Sequence, residues 1–123
     1  MPADLARRPP GCRIPGSRVR PGPWLHLLRA LNELAGGTAE LQLHSEHAWA
    51  SATFAGSRHR FTLAFTGLAA IARGEDLIAA LPDHEFAIPG QIVADTAIIA
   101  AEQRALPTPM LVVTCELLLL AEA

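Results

Sequence analysis

Residues 39–56, AELQLHSEHAWASATFAG, align without a gap with residues 84–101, HEFAIPGQIVADTAIIAA, at an offset of 45 residues. Glu40 falls on Glu85, Leu41 on Phe86, Leu43 on Ile88, Ser45 on Gly90, Ala52 on Ala97 and Phe54 on Ile99. A helical pattern precedes each copy and a β-type run succeeds it. The match predicts one helix-plus-three-strand unit used twice.

Local patterns supply the elements of each unit. Pro23 suits the first turn of a helix. Trp24, Leu27, Leu28, Leu31 and Leu34 then recur at helical spacing until Gly36 and Gly37 end the run. From Thr38 to Thr66 the period becomes two. Strands are expected at 39–44, 47–55 and 58–66, with connections near Ser45–Glu46 and Gly56–Ser57. In the third of these, His59, Phe61, Leu63 and Phe65 share one face and Arg60, Thr62, Ala64 and Thr66 the other. A second helix is expected from Leu68 to Pro82, weakened at Gly74 by about 1 kcal/mol relative to alanine. Strands at 84–88, 91–103 and 109–121 complete the second unit. The alanines of 91–105 also suit a helix, but the cluster Ile92, Val93, Thr96, Ile98 and Ile99 favours a strand. The expected fold class is α+β: two α-β-β-β units forming a six-stranded, mainly antiparallel sheet, with two helices on one face and a pseudo-twofold axis.

Composition limits what such a domain does. Half of the 123 residues are apolar and 18% are charged, which is ample core material for one domain over 23–123. Residues 1–22 are rich in proline, glycine and arginine, and a disordered tail is expected there. Five arginines stand against Asp4 in residues 1–23, and five against eleven acids in the remainder. The folded part is therefore acidic, and no nucleic-acid partner is expected. No apolar run reaches the roughly 20 residues that span a bilayer, so no membrane partner is expected either. Cys12 and Cys115 fall in tail and core strand respectively. They read as free thiols in a reducing, cytoplasmic setting.

Strand 109–121 is apolar on both faces: Leu111, Val113, Cys115, Leu117 and Leu119 on one, Val112, Leu118 and Leu120 on the other. A sheet open to water on one side alternates more cleanly. A second copy covering that face, as a homodimer or higher homo-oligomer, is the simplest expectation.

No phosphate loop, nucleophile elbow, CxxC or dinucleotide fingerprint occurs in the sequence, and no cofactor is expected. His44 and His47 form H-S-E-H with Glu46 between them. The motif lies near a strand connection, where alternate side chains point apart, and lacks the helical context of zinc hydrolases. No metal is expected. His59 and His84 meet only if strands bring them together. Asp95 should share a face with Val93, Ala97 and Ile99, where a carboxylate must be paired, protonated or at an opening. Arg58, Arg60 and Arg104 are its candidate partners. Glu40 and Glu85 are expected as solvent-side charges on edge strands. Trp49, His59 and Arg60 suit a pocket for an anionic or planar molecule.

Through WASATFAGSRHRFTL (49–63) and HEFAIPGQIVAD (84–95), the chain resembles an uncharacterised family of small bacterial proteins. The resemblance covers most of residues 40–120 and implies no catalytic residues. The leading functional expectation is a non-catalytic binding or assembly module that dimerises through its sheet. The alternative is a small enzyme or organic-ligand binder using Asp95, Glu85, His84, His59, Arg60 and Trp49. A cleft joining Asp95 to His59 or His84 would favour the alternative.

Overall fold

The computed structural model describes residues 22–121. The arginine-rich stretch and Cys12 lie outside them, as does the expectation of a disordered tail. Helix α1 spans Pro23–Leu34, strand β1 Glu40–Ala50, β2 Ala55–Thr66, helix α2 Leu68–Ala80, β3 Gln91–Arg104 and β4 Met110–Ala121. A single 3-10 turn, Leu81–Asp83, extends α2. The strands form one antiparallel sheet in the order β1-β2-β4-β3, so β1 and β3 are its edges.

The α+β class and both helices stand, but the sheet has four strands, not six. The two strands expected at 39–44 and 47–55 are one, β1. Nothing at Ser45–Glu46 can reverse the chain. The reversal comes at Ser51, whose hydroxyl accepts the Thr53 and Phe54 N–H groups at 3.3 and 3.1 Å while its own N–H donates to the Phe54 carbonyl at 2.7 Å. Gly56, expected as a turn, lies inside β2. A Cβ there would fall 1.9 Å from the Leu119 carbonyl oxygen, so the residue is glycine because β4 passes too close for a side chain.

Residues 84–88 form no strand either. The α-helix stops at Ala80, before Pro82, Pro89 has no N–H for a ladder, and only a bridge joins Ile88 to Gln91. The aligned stretches are therefore not structurally equivalent. Glu40 begins β1, whereas Glu85 sits in an exposed connection. That connection is longer than the one between α1 and β1, so the 45-residue register does not carry into the strands, and the internal repeat with its six strands fails. Residues 91–104 do form a strand.

One face of the sheet carries the core. Phe61, Leu63 and Phe65 of β2 and Leu111, Val113, Cys115, Leu117 and Leu119 of β4 pack beneath Leu27 and Leu31 of α1 and Ile71 and Leu77 of α2. Cys115 is buried there, and burial pushes its thiol up to about 12. The same packing accounts for Gly74. A Cβ at that position would lie 2.8 Å from Phe65 and 2.9 Å from Leu111, so the missing side chain lets α2 settle on the sheet. At the exit of α1, the Asn32 side-chain oxygen accepts the Ala39 N–H at 2.9 Å, which fixes where β1 begins.

Bulges set which side chains face inward. In β1 an extra residue, Gln42, lies between Leu41 and Leu43, and in β3 Ala94 and Ile99 are extra. The second face therefore reads as rows across β1, β2, β4 and β3. They run Trp49–Gly56–Leu120–Ile92, then His47–Arg58–Leu118–Asp95, Ser45–Arg60–Glu116–Ala97 and Leu43–Thr62–Thr114–Ala100. The first row is apolar. The middle is held by Glu116, which accepts Arg60 at 2.8 Å and Arg58 at 3.4 Å. These hydrogen bonds, Arg60 foremost, hold the Glu116 carboxyl below the usual carboxylate range.

Candidate functional site

The residues expected to form one ligand site occupy three separate places. His84, Glu85 and Asp95 line an open groove of about 620 Å³ between the 3-10 turn and the start of β3, with Phe86 and Gln91. His84 meets Phe86 edge to face, ring centroids 4.6 Å apart. Asp95 does not share a face with Val93. The bulge at Ala94 turns it to the second face, where it is exposed beside Leu118 and Ala97. Its candidate arginine partners are engaged elsewhere: Arg58 and Arg60 hold Glu116, and Arg104 lies 3.8 Å from Glu102. Trp49 is half-buried at the outer edge of the apolar row, and Arg60 belongs to the Glu116 network.

His59 is at the other side of the sheet, fully buried on the core face. It is the centre of the most organised polar cluster among the described residues. Its Nδ1 lies 3.0 Å from His44 Nε2, and its Nε2 lies 2.7 Å from the Ser57 hydroxyl. His44 is stacked between Trp24 of α1 and Phe61 of β2, with ring centroids 4.7 Å away on each. Glu46, directly opposite His59 across the β1–β2 ladder, completes a group whose donor atoms all fall within 4.8 Å of one another. Burial lowers the pKa of both imidazoles against a smaller opposing pull from Glu46.

Local sequence explains the cluster. His44 and Glu46 are two apart on a continuous strand and so share a face, while His47 points to the other side. The short Ser51–Phe54 turn then brings Ser57, His59 and Phe61 back along the same face. The partner of His44 is thus His59 and not His47, its neighbour in the H-S-E-H motif. A turn at Ser45–Glu46 would have kept His44 and His59 apart, and Ser57 and Trp24 carried no signal of their own. The run Ser57–His59–His44 has the connectivity of an activated hydroxyl, a base and an orienting group. Acyl transfer also needs the base to reach a leaving group, which complete burial denies to His59.

No family model matches the chain, and no curated protein matches it. Among solved structures, the fold matches a chain from the virion of a native gene transfer agent particle. The TM-score is 0.57 and the identity 14%, over 80% of this chain and 92% of that one. At that identity the likeness is one of fold. No helix among the described residues is long and apolar enough to cross a membrane.

Proposed function

We propose that the chain is a structural subunit that works by assembly, meeting further copies of itself through the open face of its sheet. The observation that carries this reading is the apolar row Trp49–Gly56–Leu120–Ile92 at one end of a face that no described element of the chain covers. Ile92 is 50% exposed, and Phe54, in the adjoining turn, is 54% exposed. An apolar strip bordered by charged rows is the anatomy of an interface centre and its rim. A twofold axis along the strands, between β2 and β4, sets β1 of one copy over β3 of the next. It lays Trp49 over the second copy's Ile92, and His47 over its Asp95, pairing apolar with apolar and a base with an acid. The shared fold with a chain of a multi-subunit virion agrees with such a role.

Size-exclusion chromatography with light scattering tests the reading on the full chain. Oligomers are expected at micromolar concentration, and Ile92→Arg is expected to reduce them to monomers without unfolding. A monomeric wild type overturns the proposal.

The groove supports a second reading, because it does join Asp95 to His84 and Glu85. Its volume lies within the range of small-molecule sites. Two carboxylates would favour a cationic organic ligand, such as an amine. Chemical-shift changes confined to the groove on titration with polyamines would support it, and their absence would remove it.

A further inference from the structure

We infer that His44, Glu46 and His59 form a binding site for a divalent first-row transition ion, zinc in the first instance. Two of the ligands are alternate residues of β1, and the third stands across from Glu46 on β2. The three therefore project from the same face of a hydrogen-bonded strand pair, a rigid base for a metal triad.

The spacing suits the ion. Two nitrogens bound at zinc distances and a tetrahedral angle lie about 3.3 Å apart. The His44 and His59 nitrogens already face each other at 3.0 Å. Without an ion they share one proton; the ion replaces that proton. The outer contacts are those a metal-binding imidazole needs. The Ser57 hydroxyl, 2.7 Å from His59 Nε2, can accept its N–H and leave the Nδ1 lone pair for the ion. Trp24 and Phe61 hold the His44 ring between them.

Glu46 brings the negative charge, and its exposure leaves a side open to water. Three protein ligands with a fourth position for solvent is the pattern of an accessible zinc site. The fully buried imidazole of His59 is also an expensive choice for a position that packing alone could fill with leucine or phenylalanine.

The test uses the full chain, freed of metal with EDTA and dialysed, then titrated with Zn²⁺ by calorimetry and with Co²⁺ by visible absorption. One equivalent of Zn²⁺ is expected to bind in the micromolar range or tighter and to raise the melting temperature. Co²⁺ is expected to give the absorption of a low-coordinate site. Glu46→Gln should weaken binding at least about tenfold. His26→Ala, which alters a histidine of α1 outside the cluster, should bind as wild type does. His44→Asn should also abolish binding; if that variant does not fold, Glu46→Gln decides alone, because Glu46 is exposed. Lack of saturable binding, or binding that Glu46→Gln leaves unchanged, overturns the site. Oligomer state is read separately, so failure here leaves the assembly proposal standing, and the converse holds.

Discussion

The two edge strands meet the rest of the molecule in different ways. The inner side of β1 is polar and aromatic, and it is tied to α1 twice, by the Asn32–Ala39 hydrogen bond and by the Trp24–His44 stack. The inner side of β3 has no such ring stack, and Thr96 lies between its two aliphatic contacts. Val93 and Ile98 pack against the core, and from Ile99 to Arg104 every residue is exposed. One bulge interrupts β1 and two interrupt β3. The first edge is thus positioned by directional contacts, which a chemical site requires. The second is held chiefly by its ladder to β4, and it presents side chains such as Ile92 outward, as a contact surface does. The proposed chemistry sits on the core face of one edge strand, and the proposed contact surface spans the opposite face of the sheet.

The change expected to be most damaging falls where β2 pairs with β4. Gly56→Ala places a methyl group 1.9 Å from the Leu119 carbonyl oxygen. The obstacle is backbone, so relief requires the β2–β4 ladder to part. A loss of about 3 kcal/mol or more, at or above the upper end of ordinary overpacking, is expected in urea unfolding. A loss below about 1 kcal/mol would mean that β2 and β4 are joined more loosely than the register implies.

That glycine also shows where the sequence could be read and where it could not. The inward sets of β2 and β4 were legible because strict alternation places Phe61, Leu63 and Phe65, and Val113, Cys115 and Leu117, on one side whatever the neighbours do. Both helices were legible from their spacing. Turns and register were not. Ser51 reverses the chain through its hydroxyl, a signal weaker than the glycine five positions on, and Gly56 passes for a turn because close approach and turning both select glycine. Each bulge inverts the parity of the residues after it, so Asp95 moved to the outer face when Ala94 was added to the strand. The metal triad depends on register and was hidden for the same reason. The groove joining Asp95, His84 and Glu85 depends less on register, because two of its residues are adjacent in sequence and the third lies at the start of the next strand.

A pair of truncations sharpens the contrast between the edges. Trp24→Ala removes the ring that covers His44 and links α1 to β1, and about 2–3 kcal/mol is expected, below the cost of a fully buried tryptophan because Trp24 is half-buried. Ile98→Ala on β3 removes a half-buried aliphatic group from the other edge, and about 1 kcal/mol is expected. Equal losses in parallel denaturation curves would erase the distinction between a pinned edge and a ladder-held one.

The smallest expected effect is also the most diagnostic, because acid separates the two polar clusters by pH. In EDTA, His44 and His59 have folded-state pKa values below their ordinary 6.5, with burial as the first cause. The unfolded chain then takes up protons before the folded one does. Stability from this pair is complete above about 6.5 and falls as the pH drops below it. Glu116 is also lowered, but from 4.5, by the Arg60 and Arg58 hydrogen bonds. Its contribution persists through the histidine window and is lost only below the ordinary carboxylate range. It is worth at most about 1 kcal/mol, because both arginines are solvated. Melting temperature against pH should therefore show two steps. Glu116→Gln should remove the lower one and leave the upper. His44→Asn should flatten the upper step and leave the lower. A single step below pH 4.5, with nothing between 5 and 6.5, would mean that the imidazoles keep their ordinary affinity for protons. Burial as the cause that lowers His44 and His59 would then fail.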